Sequence, residues 1–218
     1  MSCQPKHPVP VFPLPGMVLF PGVCLPLHVF EVRYRVLVRE ALTGGRIIAL
    51  ALLVPGWERD YHGSPEFHPL GCLARIDEVA WLPDGCYDLR VQGISRVQLG
   101  RVEREFPYRV VRCETLPQDP FSEDDTLVQL ERRAVIEAGM RCSRMVEGAG
   151  GQASTPDESL GFEPLVNRVC MALPVDPGER LALLAMDSVI DRARRARDLM
   201  EGQLLLAGGG RAAGGERN

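Results

Sequence analysis

From Val11 to Leu37 the chain reads VFPLPGMVLFPGVCLPLHVFEVRYRVL, apolar almost throughout but broken by four prolines and two glycines before its spacing turns helical. Proline brings no N–H to a ladder and fixes φ. This entry therefore predicts two short extended segments, near 9–13 and 23–29, at strand starts or sheet edges rather than in a sheet centre. From Phe30 the period changes. Phe30, Tyr34, Leu37, Val38 and Ala41 fall on one helical face, Glu31 and Arg35 pair on the wet side, and Gly44 is the stop. RIIALALLV (46–54) is a continuous apolar run suited to a buried strand, and 55–70, with Trp57, Tyr61, His62 and His68, predicts a long loop. GCLARIDEVAWL (71–82) and CYDLRVQGISRVQL (86–99) face each other across Pro83-Asp84-Gly85, a hairpin signal, and YRVVRCETL (108–116) is the last strand candidate.

After PQDP (117–120) the pattern becomes helical. Ser122, with Asp125 three residues on, resembles a capping box that opens a helix to about Val146, and GAGGQASTP then reads as a flexible linker. A helix at 161–173 follows, and Asp176-Pro177-Gly178-Glu179 opens another with a good N-cap and proline at the first helical position. The final helix, about 188–206, carries Val189, Ala193, Ala196, Met200 and Gln203 or Leu204 along one stripe, and the glycine-rich tail beyond it buries too little to order itself. These segments predict an α+β chain: a β-rich lobe over 8–118, a helical lobe over 121–206, and a disordered tail at 207–218.

Composition narrows the partners. At 218 residues and 45% apolar content the chain can hide roughly 70% of its unfolded surface, enough to fold unaided. A net charge of −4 gives no general attraction to nucleic acid or to an acidic membrane. Seven cysteines, an odd number with no C-x-x-C pair, read as reduced, buried thiols of a cytoplasmic protein. The longest clean apolar run, 47–54, is far too short to span a bilayer.

FPLPGMVLFPGVCLPLHVFEVRYRVLV closely resembles the start of the Lon protease N-terminal domain, the LON substrate-binding domain family. HPLGCLARIDEVAWLPDGCYDLRVQGISRVQL is similar to that family's central hairpin, and FEPLVNRVCMALPVDPGERLALLAMDSVIDRARRARDLM to its helical half. The resemblance spans about 8–206 and implies a PUA-like β pseudo-barrel lobe followed by an α-helical lobe. It does not carry a protease or an ATPase across. Lys6 is the one lysine, so the chain has no G-x-x-x-x-G-K-[ST] phosphate loop, and no serine–lysine pair forms away from the terminus. GISRV (93–97) lacks the second glycine of a nucleophile elbow.

The remaining candidate chemistry is thin. His62, His68 and Cys72, with Cys86 expected across the hairpin from Cys72, suggest a metal, but the histidines lie in the predicted loop, and the cysteines pack as small hydrophobes, so no metal and no cofactor is assigned. His28 sits at a strand-to-helix junction in a polar or capping role. Asp77 and Glu78, adjacent on a strand, face opposite ways and form no acid–base pair unless a bulge intervenes. Arg192, Arg194, Arg195 and Arg197, interleaved with Asp191 and Asp198, read as a solvated helix face. No catalytic residue is assigned.

The reading is a free-standing, non-catalytic module that binds unfolded or tagged polypeptide or a partner protein, with no membrane and no nucleic acid expected. The alternative is RNA binding, suggested by the PUA-like fold alone. A receptor for unfolded chains must offer apolar surface, so Met17, Leu19, Phe20 and Phe30 are the candidate groove residues, with Arg33 at the rim and the prolines keeping the surface rigid. Taken one at a time, Phe12, Phe20, Phe30 and Tyr34 also suit plain core packing.

Overall fold

The computed structural model describes residues 8–61, 63–148 and 155–212. His62 and residues 149–154 of the expected linker lie outside them. Described residues up to Pro117, together with Val175–Ala185, form one compact unit; Gln118–Pro174 and the chain from Met186 form a second.

The first unit is a mixed six-stranded sheet of β1 (Val9–Leu14), β2 (Cys24–Val29), β3 (Ile47–Leu53), β4 (Phe67–Trp81), β5 (Tyr87–Arg104) and β6 (Val110–Thr115), with helix α1 (Val32–Thr43) after β2. The strand order is β2-β5-β4-β3-β1-β6, and β6 pairs with β5 as well, so hydrogen-bonded neighbours run in a circuit through five strands with β2 appended to β5. β5 manages this because it is 18 residues long: its first half pairs with β2 through Gln92, and its second half pairs with β6 from Val97. Inward positions alternate along the strands, and Val9, Val11, Ala49, Ala51, Leu73, Val97, Leu99 and Val111 form one buried cluster.

Two glycines are set by close approach. A Cβ on Gly71 would stand 2.5 Å from the Leu50 carbonyl oxygen, and one on Gly93 would stand 2.2 Å from that of Phe20. Gly93 meets the chain before β2 directly, its N–H donating to Val23 O and its carbonyl accepting from Gly22, both at 2.9 Å. At the hairpin tip Gly85 takes φ +82°, and the Asp84 side chain accepts the Cys86 N–H at 2.9 Å, the chemistry expected of Pro83-Asp84-Gly85.

Several expectations need correction. β1 is not an edge: it lies between β3 and β6. Its prolines are tolerated because each has a strand on one side only: Pro10 pairs with Val110 of β6 ahead of the β3 register, and Pro13 pairs with Ala51 of β3 beyond the stretch that β6 covers. The 55–70 loop holds a short 3-10 turn at Trp57–Asp60, and β4 already begins at Phe67. A register shift falls between Ile76 and Glu78, the bulge that would let neighbouring carboxylates converge, yet each has its own arginine: Arg75 Nε donates to Asp77 at 2.6 Å and Arg90 donates to Glu78. Cys86 does not oppose Cys72, because the hairpin is long enough to set Cys72 against Arg96 and leave Cys86 in the turn. Helix α1 buries Tyr34, Leu37, Val38 and Ala41 as expected, but Phe30 precedes the helix and is 57% exposed. Glu31 occupies the N-cap position and pairs with Arg33 rather than Arg35.

Helix α4 (Pro177–Ala185) also departs from the expected lobes, grouping with the sheet. Its start is as predicted, with Asp176 accepting the Gly178 N–H at 2.7 Å. Its end is held by buried Arg96 of β5, whose guanidinium donates to the carbonyls of Leu184, Ala185 and Pro117, satisfying acceptors that a helix end leaves open.

The second unit packs α2 (Thr126–Gly148), α3 (Phe162–Ala172) and α5 (Val189–Ala212). The N-cap of α2 is Asp125, whose carboxylate accepts the Leu127 N–H at 2.8 Å; Ser122 sits in the turn before it, its carbonyl accepting from Asp125. Glu123 instead reaches α3 and accepts the Phe162 N–H at 2.8 Å. The arginine run on α5 is only partly a solvated face, exposed at Arg195. Arg192 is fully buried, and Arg194 and Arg197 both donate to Glu131 of α2, at 2.7 and 2.9 Å. Their partner lies more than sixty residues away, beyond the reach of local charge pattern. Part of the expected tail, 207–212, continues α5; the rest lies outside the described residues. No described helix is long and apolar enough to cross a membrane.

Candidate functional site

The predicted groove residues separate. Leu19 and Phe20 are 2% and 0% exposed, so they are core and leave the candidate set. Their short loop turns inward because Gly93 lets the backbone at Phe20 lie directly on β5. Met17 is half-buried and borders none of the cavities described below. Phe30 and Arg33 do come together, at a cavity of about 220 Å³ in the sheet unit. Pro13 and Pro15 line it from the end of β1, Val29 and Phe30 from the end of β2, Tyr34 from α1, and Tyr61 from the loop after β3.

The walls are braced. Phe12 stacks on Tyr34 with centroids 4.5 Å apart, and burial pushes the Tyr34 hydroxyl up to about 12. Arg33 lies over the Tyr34 ring at 4.8 Å. Its guanidinium is already committed: Nε donates to Glu31 at 3.0 Å and the two terminal nitrogens to the carbonyls of Gly63 and Tyr61 at 2.6 and 2.7 Å. Arg33 thus pins the loop rather than waiting at a rim for a ligand. The Tyr61 hydroxyl completes the brace, donating to Glu31 at 2.8 Å, and burial and that carboxylate raise its pKa.

Two further cavities adjoin. One of about 560 Å³ shares Pro15 and Tyr61 and adds Trp57, which packs on Tyr61 at 5.5 Å; one of about 260 Å³ shares Pro13, Arg33 and Tyr34 and adds exposed Phe106. Prolines, aromatics and one pinned loop therefore make a continuous uneven surface. Sequence reading passed over Trp57 and Tyr61, although two aromatics in an otherwise polar loop are a signal for such a surface. A fourth cavity, about 350 Å³ and mainly apolar, lies within the helical unit and holds none of the predicted residues.

His28 pairs across the strands with Asp88, Nδ1 to Oδ1 2.7 Å, in place of a capping role. No metal-ligating cluster occurs among the described residues. Four arginines around the sheet are paired: Arg75 with Asp77, Arg90 with Glu78, Arg104 with Glu40, Arg112 with Glu103. With a net charge of −4 over the chain, the RNA alternative is not favoured.

Fold and site together define an α+β domain: a mixed six-stranded sheet with a helical unit, whose distinctive surface is an apolar, proline-lined cavity rather than a set of reacting groups. The chain belongs to the family of ATP-dependent protease La (LON) substrate-binding domains, whose model matches residues 8–202. Among solved structures, the Lon N-terminal domain protein from Xanthomonas campestris matches at TM-score 0.61 and 26% identity, over 87% of this chain and 96% of that one. The N-terminal domain of Mycobacterium avium complex Lon protease matches at TM-score 0.64 and 16% identity, over 89% and 98%. The Lon protease of Flavobacterium johnsoniae is 25% identical over 85% of this chain, and Lon protease 2 of Herpetosiphon aurantiacus 28% identical over 86%. This chain spans 23% of the length of each of those two proteases.

Proposed function

We propose that this chain is a non-catalytic module that binds unfolded polypeptide, seating an apolar client side chain in the cavity beside Phe30. The observation that carries this reading is Phe30 itself, a large aromatic 57% exposed at the mouth of an apolar cavity. Covering such a ring removes apolar surface from water, and exposed apolar side chains are what an unfolded client has and a folded one lacks. Pro13, Pro15 and the Arg33 brace hold the cavity's shape in advance, which lowers the entropy lost on binding. The family description as a substrate-binding domain supports the same reading. The missing phosphate loop and serine–lysine pair support the absence of catalysis.

The test is fluorescence anisotropy with labelled, reduced and carboxymethylated lactalbumin as client. Phe30→Ser is expected to stay folded and to weaken binding about tenfold, the loss of one well-placed aromatic anchor. Binding should change little between low and high salt, since the contact is apolar. Unchanged affinity in the folded variant removes the cavity from the site. ATP hydrolysis or client cleavage that follows the chain through purification overturns the non-catalytic part.

A further inference from the structure

β2 is the strand of this sheet with one side open along its whole length. Its residues pair with β5 from Cys24↔Gln92 to Val29↔Tyr87, and no other backbone partner occurs for them among the described residues. The Val23 carbonyl accepts the Gly93 N–H, which fixes the direction of the ladder. By strand alternation Leu25, Leu27 and Val29 turn their backbone groups to β5, while Cys24, Pro26 and His28 turn theirs outward. Pro26 fits this phase, since its missing N–H falls on the open side and costs no ladder bond. The edge therefore presents the N–H groups of Cys24 and His28 and the carbonyls of Cys24, Pro26 and His28.

Natural sheets guard such edges with short strands, with charge, above all lysine, with proline, or with a covering element. β2, CLPLHV, has no charged residue, and its one guard, Pro26, removes a single outward donor and leaves those of Cys24 and His28 open. Outer side chains Cys24, Pro26 and His28 are exposed, and Leu27 on the inner side is only partly buried. The strand ends at Val29-Phe30, which line the candidate cavity, so the open edge runs directly into it.

We infer that β2 is a strand-addition edge: an extended polypeptide pairs with its open side and passes its end into the cavity beside Phe30. This rests on the polypeptide-binding reading above and specifies the client as an extended chain of alternating apolar and polar residues, apolar on the Leu27 side. Backbone bonds supply affinity for any sequence, as a receptor for unfolded chains requires. The cavity supplies the preference for an apolar side chain.

The probe is a fluorescein-labelled decapeptide alternating valine and serine with a terminal lysine, measured by anisotropy on the full chain. His28→Pro deletes an outward N–H without touching the β5 ladder, and is expected to stay folded and to weaken binding about tenfold. His28→Ala keeps that N–H while losing the Asp88 contact and a ring that lines the cavity beside Phe30, so it measures the side chain's share, and its loss is expected to be clearly smaller than that of His28→Pro. Peptides N-methylated on alternate residues give a second measurement that needs no protein variant. Residues bonded to the edge all carry side chains on one face, so an antiparallel client is expected to lose binding when its serines are methylated and to tolerate methylated valines; a parallel client reverses this. A folded His28→Pro that binds like the parent, or equal sensitivity of the two methylated sets, overturns strand addition while leaving the polypeptide reading in place. No binding of the parent peptide or of the denatured client defeats both.

Discussion

The Arg192 guanidinium donates to the side-chain oxygen of Asn167 at 2.6 Å, and both residues are wholly buried between helices of the second unit. It also donates to the Met186 carbonyl at 2.6 Å, so a full charge is held inside by fixed acceptors. Removing the donor strands those acceptors without water. Arg192→Met is expected to cost about 2–3 kcal/mol by urea denaturation, the scale of bonds to a charged group. Arg90→Ala, which breaks the exposed pair with Glu78, is expected to stay within about 0.5 kcal/mol. Equal effects of the two substitutions would contradict the buried role.

Glycine at 93 and at 202 answers the same substitution with opposite signs. A Cβ at 93 would sit 2.2 Å from the Phe20 carbonyl oxygen, in a segment held by two backbone bonds, so Gly93→Ala is expected to lose about 2 kcal/mol or more. A Cβ at 202, within α5, meets nothing within 4 Å, and Gly202→Ala is expected to gain about 0.5–1 kcal/mol from helix propensity. Thermal melts of the two variants check both signs. A neutral Gly93→Ala would mean that β2 and its entry do not lie on β5 as described.

The order of elements was legible because it rests on local signals: the 3.6-residue stripe of α1, the Pro83-Asp84-Gly85 turn, and the Asp176-Pro177 start of α4. What stayed hidden depends on contacts distant in sequence. Nothing local says that Arg194 and Arg197 share Glu131, that Arg96 holds the end of α4, or that the Phe20 loop turns inward on Gly93. The candidate site was half legible for the same reason. Apolar abundance flagged 17–30, but burial divided it: Phe20 went to the core, and Phe30 stayed outside because the helix begins two residues after it.

Stability is expected to hold a plateau bounded on both sides by named groups. The Tyr108 hydroxyl, with Arg104, holds Glu40 below the usual carboxylate range; the Cys86 N–H does the same for Asp84, and Ser159 for Asp157. Their folded pKa values are lowered, so their contribution is present above the ordinary range near ~4 and is lost as pH falls through the folded values. At the other side, burial pushes Tyr34 and Tyr108 up to about 12 from 10.0. Raised values mean a contribution present below 10 and lost as pH climbs towards 12. Melting temperature against pH should therefore fall at both ends. Glu40→Gln should shrink the acid loss and Tyr34→Phe the alkaline one, and a variant whose profile keeps the parent's slope would remove that residue from the account.

Phe20 and Phe30, ten residues apart in one proline-rich stretch, are expected to separate folding from binding. Phe20 is 0% exposed, so Phe20→Ser opens a cavity and buries a hydroxyl, costing about 3–5 kcal/mol by the measure of core aromatic truncations. Phe30 is 57% exposed, so Phe30→Ser is expected to change stability by no more than about 0.5 kcal/mol while weakening capture of a denatured client. Denaturant midpoints and client anisotropy on the same preparations distinguish the two. If Phe20→Ser remains as stable as the parent, the inward turn of its loop is wrong. If Phe30→Ser unfolds the chain, that ring is a structural element and cannot be the anchor of the site. Should both behave as expected, the stretch serves two purposes at once: its first half seats the entry to β2 on β5 through Phe20 and Gly93, and its second half holds Phe30 rigidly at the cavity mouth.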